Sequence, residues 1–406
     1  MTQTCIVIGA SHAAAQLTAS LRQEGWEGKI IVIGDEQQLP YNHPPLSKAY
    51  LSGDQSADEL LIRKPNFYEQ KEIEFRLGLR VEKIDRAAKT VALNNGETLS
   101  YDKLALCTGS RVRTVSLPGI ELAGIHYLRD LKDVDGIRGE VVAGKSAVIV
   151  GGGYIGLETA ASLKKLGMSV TVLEMAPRVL ARVTAPELSE FYTRVHTEEG
   201  VDIKTGVAVS EFIGGDRVEK VTCADGSEYA ADLVVIGVGI IPNVELAQEC
   251  GLEVENGVVV DEFARTNDPD IVAAGDVTNH YNGIYKIRLR LESVPNAADQ
   301  AKSAAASICG KEKLYCTLPW FWSDQYDLKL QIAGLSQGYD QVVIRGDKDS
   351  GRSFAAFYLR EGKLIAADCV NRPPEFMVAK KILSEGIEVD IAKLADESIA
   401  PKAFLG

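Results

Sequence analysis

Two glycine-rich segments stand where they could hold phosphate groups. One spans residues 9–14 and the other 151–156, and each follows a short apolar run. Where a strand turns into a helix through such a segment, backbone amides and the helix N-terminus approach a pyrophosphate that a side chain at the turn would block. One loop predicts one dinucleotide. Two loops predict two dinucleotides held at once, with electron transfer between them.

The second loop has the complete fingerprint. Gly151, Gly153 and Gly156 occupy all three glycine positions, with Tyr154 and Ile155 between the last two. The flanking residues have the period of a strand and a helix, as this fingerprint requires. A glycine-rich turn without a ligand is the competing interpretation.

An acidic residue follows this loop at the expected distance. Glu174 ends the next predicted strand, where a carboxylate would accept a hydrogen bond from the adenosine 2′-hydroxyl and repel a 2′-phosphate. The sequence therefore favours NADH over NADPH. Arg178 and Arg182 lie nearby and weaken that preference.

The first loop departs from the fingerprint. Gly9 is present, Ser11 replaces the middle glycine, and Ala14 stands in the third place, where alanine is an accepted variant. Asp35 follows the next predicted strand and is the candidate ribose ligand. Taken alone, this loop is equally compatible with a structural turn.

The elements around both loops repeat one plan. Strands over 4–8 and 29–34 enclose a helix over 13–24, and strands over 146–150 and 169–173 enclose a helix over 156–165. Asn-Gly and Asp-Gly pairs predict hairpins. Further expectations are short helices and strands, over 46–51 and 296–309 for helices and over 329–335, 341–344, 353–359 and 363–369 for strands.

This order predicts an α/β chain with two Rossmann-like dinucleotide-binding domains, glutathione-reductase-like, and a C-terminal α+β domain. The second domain is inserted into the first. The expected boundaries are 1–112 with 239–316 for the FAD-binding domain, 113–238 for the NADH-binding domain and 317–406 for the C-terminal interface domain.

Composition excludes several other classes. A net charge of −13 argues against a general nucleic-acid binder. Seven scattered cysteines form no C-x-x-C pair, and five isolated histidines have no metal-ligand spacing, so no redox disulfide, metal or iron–sulfur site is predicted. With a strand starting near Met1 and no long apolar run, we expect no signal peptide, no membrane span and a cytoplasmic protein.

The motifs in their order resemble a known family, the FAD-dependent NADH:ferredoxin reductases of bacterial cytochrome P450 and Rieske oxygenase systems (putidaredoxin-reductase-like). Two runs are more specific than any glycine loop, residues 44–50 (PPLSKAY) and 319–325 (PWFWSDQ). Besides Ser11, Cys107 departs from the pattern, since alanine is usual there. The other matching segments are 9–14, 104–109, 127–129, 151–158, 239–243, 274–276 and 292–296.

The resemblance implies a set of cofactor contacts. For FAD these are Gly9, Ser11, Ala13, Ala14, Asp35, Lys48, Val81, Arg129, Asp276, Val294 and Trp320. For NAD they are Gly151, Gly153, Tyr154, Ile155, Gly156, Glu174, Arg182 and Gly239. A helix N-cap is the alternative for Asp276, and core packing is the alternative for Val294.

Three of the residues have catalytic roles in this resemblance. It places Lys48 near flavin N5 and the nicotinamide, where a cation would stabilise negative charge on reduced flavin, and Glu158 as its partner. A solvated lysine and a surface glutamate are the alternatives. Trp320 would reach over the flavin from the C-terminal domain, with Trp322 as the competing candidate.

The implied activity is hydride transfer from NADH to FAD, followed by release of single electrons to a small [2Fe–2S] ferredoxin, by a monomer or homodimer. An NADH oxidase, a rubredoxin reductase and a flavin-bound redox sensor resembling apoptosis-inducing factor are the alternatives. Lys286, Arg288 and Arg290 alternate along a predicted strand. They would either dock the acidic ferredoxin or form a solvated sheet edge.

Overall fold

The computed structural model describes residues 3–405 as two compact units, with the first built from residues up to 42, 60–111 and 241–320, and the second from 43–59, 112–240 and 321 onward. The second unit thus contains most of the segments predicted as the NADH-binding and C-terminal domains, together with the proline-rich loop. The predicted three-domain boundaries remain a prediction.

The first part of the chain carries the first dinucleotide-type fold. Its strands and helices are, in order, β1 (Thr4–Ile8), α1 (His12–Glu24), β2 (Lys29–Gly34), a 3-10 helix (Pro44–Ser47), α2 (Ala57–Leu60), α3 (Pro65–Gln70), β3 (Ile73–Leu77), β4 (Val81–Asp85), β5 (Thr90–Leu93), β6 (Thr98–Ser100), β7 (Lys103–Leu106) and β8 (Ser110–Val112).

The central part repeats that pattern. It comprises β9 (Ile125–Tyr127), α4 (Leu131–Glu140), β10 (Ser146–Val150), α5 (Tyr154–Lys165), β11 (Ser169–Glu174), α6 (Pro186–Glu198), β12 (Asp202–Thr205), β13 (Val209–Gly214), β14 (Val218–Cys223), β15 (Glu228–Ala230), β16 (Leu233–Ile236) and β17 (Ile240–Pro242).

The last part completes the first unit and adds a five-stranded sheet. It comprises α7 (Glu245–Glu249), β18 (Val258–Val260), β19 (Ile271–Ala273), β20 (Thr278–Asn282), β21 (Ile287–Leu289), α8 (Val294–Ile308), β22 (Trp320–Gln325), β23 (Leu328–Gly334), β24 (Gln341–Asp347), β25 (Ser353–Arg360), β26 (Lys363–Val370), α9 (Pro373–Glu385), α10 (Ile391–Ala395) and a 3-10 helix (Pro401–Leu405).

Each unit is built on a five-stranded parallel sheet. The order is β19-β7-β1-β2-β3 in the first unit and β9-β16-β10-β11-β12 in the second. The sheets correspond strand for strand, except that one edge strand comes from late in the chain in the first unit and from early in the second. Each unit also has a three-stranded antiparallel meander, β4-β5-β6 or β13-β14-β15.

Buried apolar strands and small-residue helices form the core of the first unit. Burial of Cys5, Val7, Ile30 and Val32 on one face of the sheet removes apolar surface from water, which is the main force holding α1 and α8 against it. Both helices are rich in alanine, so their backbones approach closely. This packing fixes the N-terminus of α1 beside the end of β1.

The second unit packs its parallel sheet in the same way and adds the antiparallel sheet β22-β23-β26-β25-β24. The predicted strands over 329–369 correspond to β23–β26, as the alternation of apolar and polar residues indicates. Within residues 3–405, no helix is both long and apolar enough to cross a membrane.

The helix predicted over 46–51 is replaced by the 3-10 helix at Pro44–Ser47, followed by turns. Two adjacent prolines fix the backbone at the start of this segment and remove two amide donors. The amides of Lys48 and Tyr50 both bond to the carbonyl of Pro45, which closes the chain into successive turns before a regular α-helix is established.

Candidate functional site

In the first unit, predicted cofactor residues gather where neighbouring parallel strands end. Gly9 follows β1, Asp35 follows β2 and Asp276 follows β19 by three residues. Ligands of open parallel sheets bind at this carboxyl edge. The topology therefore brings together three residues that lie far apart in the sequence.

The backbone at Gly9 requires glycine. Its φ is +102°, and a Cβ added there would lie 2.1 Å from the carbonyl oxygen of Cys107. Helix α1 begins three residues later, and its first helical hydrogen bond runs from the Ala15 amide to the Ser11 carbonyl. The amides of residues 12–14 consequently lack acceptors inside their own helix, and such amides suit a pyrophosphate. Ser11, Ala13 and Ala14 all lie in this turn.

The Asp276 loop is held by residues that the sequence did not single out. The hydroxyl of Ser110 donates to Asp276 Oδ2 over 2.9 Å. Gln300 Oε1 accepts from the Gly275 amide and from Thr278 Oγ1, each over 2.8 Å. Asp276 lies in the β19–β20 loop and not at a helix N-cap, so its carboxylate is oriented by a hydroxyl donor. This arrangement suits binding of a hydroxylated ligand.

The other predicted contacts of the first unit lie in three places. Asp35 is exposed and pairs with Arg80 over 3.3 Å. Val81 is buried at the start of β4. Val294 begins α8, whose N-cap is Ser293. An exposed ion pair of this kind contributes little, so Asp35 is available to a ribose.

The second loop has the same close approach at its first glycine. Gly151 has a φ of +112°, and a Cβ there would lie 2.4 Å from the carbonyl oxygen of Gly237. A Cβ on Gly156 would lie 2.1 Å from the Gly151 carbonyl oxygen, because α5 begins directly against the loop. A Cβ on Gly153 would meet no atom of residues 3–405 within 4 Å. The middle glycine thus borders open space of the kind a phosphate needs.

Glu174 is fixed beside this loop. Its Oε2 accepts from the Gly152 amide over 2.6 Å and its Oε1 from the Ala176 amide over 2.7 Å. Both bonds are to the charged carboxylate and are therefore of the stronger kind. Arg178 donates to Ser189 Oγ over 2.6 Å and to the Ala181 carbonyl, which occupies its guanidinium within the protein.

Lys48 and Glu158 form a buried ion pair within the second unit. Lys48 Nζ lies 2.6 Å from Glu158 Oε2, with 19% of the lysine side chain and 2% of the glutamate side chain exposed. Glu158 also accepts from Ser47 Oγ over 2.6 Å and from Ser323 Oγ over 2.5 Å. A solvated lysine and a surface glutamate are both inconsistent with this geometry.

The remaining predicted residues have definite places. Arg129 follows β9 and Gly239 follows β16, both at the carboxyl edge of the second parallel sheet. Arg182 is exposed, and its Nη2 lies 3.7 Å from the position a Cβ on Gly239 would take. Tyr154 and Ile155 form the first turn of α5. Trp320 is the first residue of β22.

A buried acid lies behind the second loop. Asp368 accepts from Thr184 Oγ1 over 2.9 Å and from the Tyr358 hydroxyl over 2.7 Å, and burial raises its pKa to about 6. Burial, followed by the charge of Asp368, raises the pKa of Tyr154 well above its usual value. Tyr154 is therefore a neutral phenol at any physiological pH.

The predicted cationic face at 286–290 is wrong. Strand β21 covers only Ile287–Leu289, and Lys286 has a φ of +56° outside it. Arg288 Nη2 donates to the carbonyls of Val260 and Asn279, each over 3.0 Å, and Arg290 pairs with Glu292 over 2.6 Å. Because the strand is too short, the three cations do not share one extended face.

Family models match nearly the whole described chain. Residues 3–301 match the pyridine nucleotide-disulphide oxidoreductase model, and residues 320–405 match the reductase C-terminal model. The chain belongs to the pyridine nucleotide-disulphide oxidoreductase family. The predicted fold class, with two dinucleotide-binding folds and a C-terminal domain, is confirmed.

Relatives in this family match end to end. The chain is 43% identical to the putidaredoxin reductase of Pseudomonas putida, covering 98% of this chain and 96% of that one. It is 39% identical to the ferredoxin–NAD(+) reductase component of the anthranilate 1,2-dioxygenase system of Burkholderia cepacia, covering 98% of each. The covalent putidaredoxin reductase–putidaredoxin crystal structure matches with a TM-score of 0.96 at 42% identity, over 99% of this chain and 98% of that one. The resemblance seen in the motifs is confirmed.

Four polar residues of these sites were missed from sequence. Ser110 and Gln300 orient the Asp276 loop, while Ser47 and Ser323 donate to Glu158. Their partners lie 22 to 166 residues away along the chain, so no local pattern connects them. The available signal was motif membership, since Ser47 and Ser323 both belong to the two most specific runs.

Proposed function

We propose that this protein is an FAD-containing reductase that carries electrons from NADH to a small [2Fe–2S] ferredoxin serving a cytochrome P450 or Rieske-type oxygenase. The observation that carries the proposal is the duplication of a glycine turn at the carboxyl edge of two parallel sheets. Full-length similarity to ferredoxin reductases supports the choice of acceptor. We further propose that it acts in the cytoplasm.

The cysteines separate this function from disulfide reduction. All seven cysteines within residues 3–405 are free, and Cys5 and Cys107 are buried in the core of the first unit. Burial raises the pKa of Cys107 to about 12, which keeps its thiol protonated and unreactive. The electrons therefore leave to an external carrier.

The first unit would hold FAD. Bound FAD accepts two electrons as hydride and gives them up singly, which is the chemistry that a carrier of single electrons requires. The α1 amides would bind the pyrophosphate, Asp35 a ribose, and Asp276 a hydroxyl of the ribityl chain. The residues proposed as FAD contacts are Gly9, Ser11, Ala13, Ala14, Asp35, Lys48, Val81, Arg129, Asp276, Val294 and Trp320.

The second unit would bind NADH. The carboxylate of Glu174, already fixed by two amides, would accept from the adenosine ribose and repel a 2′-phosphate. With Arg178 engaged within the protein, Arg182 is the remaining nearby cation of the two. The residues proposed as NADH contacts are Gly151, Gly153, Tyr154, Ile155, Gly156, Glu174, Arg182 and Gly239.

The Lys48–Glu158 pair would orient the nicotinamide and set the local charge. A lysine held at one position by a buried carboxylate is preorganised, so little reorganisation is needed as charge develops. We propose Lys48 and Glu158 as catalytic residues, with Trp320 as the aromatic residue that covers the cofactor.

An acceptor comparison tests the proposal. The purified protein should be yellow, and NADH oxidation should be fast with [2Fe–2S] ferredoxin, slow with rubredoxin and slowest with oxygen alone. NADPH should be at least about tenfold poorer than NADH, a difference of ~1.4 kcal/mol. Faster turnover with oxygen than with any ferredoxin would favour an NADH oxidase, and a colourless protein unable to take up FAD would exclude the proposal.

A further inference from the structure

A hydrogen-bonded chain of buried side chains ends on Glu158, the partner of Lys48. Tyr326 Oη lies 3.0 Å from His196 Nδ1, and His196 Nε2 lies 2.8 Å from Gln325 Oε1. Gln325 Nε2 donates to Ser323 Oγ over 3.1 Å, and Ser323 Oγ donates to Glu158 Oε1 over 2.5 Å. All five residues lie in the second unit.

The donors in this chain all point toward the carboxylate. Glu158 can only accept, so Ser323 must donate to it and must itself accept from the amide of Gln325. The Gln325 carbonyl then faces His196, which fixes the imidazole proton on Nε2 and leaves Nδ1 to accept from Tyr326. Network logic thus assigns one tautomer and one amide orientation. A chain with one direction is polarised by the charge at its end.

The chain lies almost entirely out of water. Ser323 and His196 are fully buried, and Gln325 and Glu158 are each only 2% exposed. Burial lowers the pKa of His196 to about 4, so the imidazole is neutral at physiological pH and the assigned tautomer persists. A buried polar network that is satisfied at every member holds its groups in one arrangement.

The two oxygens of Glu158 have different partners. Oε2 faces Lys48 Nζ and Ser47 Oγ, each over 2.6 Å, whereas Oε1 faces Ser323. Rotation of the carboxylate would break the contact of Ser323 or that of Lys48. The hydroxyl of Ser323 therefore fixes the plane of the carboxylate, and through it the position of the Lys48 ammonium.

We propose that Ser323, Gln325 and His196 are positioning residues for hydride transfer, acting on Lys48 through the orientation of the Glu158 carboxylate. This inference rests on the proposed function, since it assigns the chain a part in reduction of the flavin by NADH. It gives the β22 strand a role in the chemistry that is separate from any contact of its tryptophans.

Two substitutions break the chain at different places. Ser323→Ala removes the donor to Glu158, and Gln325→Glu replaces the amide donor by an acceptor of nearly the same shape that competes for the Ser323 hydroxyl. Ser323→Thr retains the hydroxyl and serves as the rescue variant. Ser353→Ala and Gln341→Glu, both on the same C-terminal sheet and outside the chain, are the matched controls.

The measurement is anaerobic stopped-flow reduction of the FAD-loaded protein over a range of NADH concentrations, which separates the limiting rate from the NADH Kd. We expect the limiting rate to fall about tenfold in Ser323→Ala and about fivefold in Gln325→Glu, with the Kd within about twofold of wild type. Ser323→Thr should recover most of the rate, and both controls should match wild type.

Unchanged limiting rates in Ser323→Ala and Gln325→Glu, with a lower Tm only, would show that the chain is purely structural and overturn the inference. Failure of Ser323→Thr to recover the rate would do the same. Should Ser323→Ala fail to fold, Gln325→Glu decides alone. Failure of NADH to reduce the wild-type flavin would instead refute the proposed function, and the inference with it.

Discussion

The two glycine loops meet the same demand at their first residue and differ at the others. A Cβ on Gly9 or Gly151 would lie 2.1 or 2.4 Å from a carbonyl oxygen of the neighbouring strand, and both residues have positive φ. The middle residue, Ser11 in one loop and Gly153 in the other, is different because a Cβ on Gly153 meets no described atom within 4 Å. The first glycine is thus required by the fold, and the middle glycine only by the ligand.

The third position separates the loops further. A Cβ on Gly156 would lie 2.1 Å from the Gly151 carbonyl oxygen, whereas Ala14 carries a Cβ at the corresponding place and is buried. Helix α5 therefore approaches its loop more closely than α1 does. The second loop leaves less room, which agrees with its complete set of glycines.

The largest expected effects come from the first glycines. Gly9→Ala should give a protein that does not retain FAD. Gly151→Ala should remain yellow but bind NADH at least about 100-fold more weakly, since strain at positive φ costs ~1–3 kcal/mol before the clash is counted. Flavin absorbance after gel filtration and NADH titration measure the two effects. Loss of FAD in Gly151→Ala would break the assignment of one ligand to each loop.

The next effect concerns the acid behind the second loop. The pKa of Asp368, raised to about 6 by burial, means that its contribution to stability is present below pH ~4 and is lost as pH rises through 6. Asp368→Asn, which is neutral at every pH, should match wild type near pH 4 and exceed it by ~2–3 kcal/mol at pH 8. Urea unfolding at both pH values measures this.

His196 has the opposite dependence, since its lowered pKa makes its contribution grow with pH, but it is common to both proteins and cancels in the comparison. Asp349→Asn, an exposed change on the same C-terminal part of the chain, is the control. An equal stability difference at pH 4 and pH 8 would show that Asp368 is ionised in the folded protein.

A smaller effect distinguishes the two ribose acids. Glu174→Gln should weaken NADH binding about tenfold and reduce the preference over NADPH, because it removes a charge held by two amides. Asp35→Asn should change FAD retention less than about threefold, since Asp35 is exposed and shares its charge with Arg80. Dissociation constants for both nucleotides give the comparison, and equal effects of the two changes would contradict it.

The smallest effects come from exchanging the middle residues. Ser11→Gly should leave stability within ~1 kcal/mol and FAD retention within about twofold, because glycine adds only backbone freedom. Gly153→Ser should fold normally, since its Cβ meets open space, yet weaken NADH binding about fivefold by crowding the pyrophosphate. Loss of stability in Gly153→Ser would show that the fold, and not the ligand, requires the middle glycine.

Sequence reasoning located the loops because an apolar strand followed by glycine is a local pattern. It did not find Gln300, Ser110 or Ser323, since each acts on a partner that only the fold brings near. It placed a helix at 46–51 because apolar spacing outweighed the adjacent prolines. It aligned three cations because alternation was extended beyond a strand that covers only Ile287–Leu289.

One anaerobic titration tests the central claim, that the two loops hold two different dinucleotides in one electron-transfer path. One equivalent of NADH is added to the yellow protein, followed by oxidised [2Fe–2S] ferredoxin. We predict full bleaching by the single equivalent and full return of the flavin absorbance with two equivalents of ferredoxin, because a hydride carries two electrons and each cluster accepts one. Flavin that NADH does not bleach, or that stays bleached in excess ferredoxin, would contradict the account.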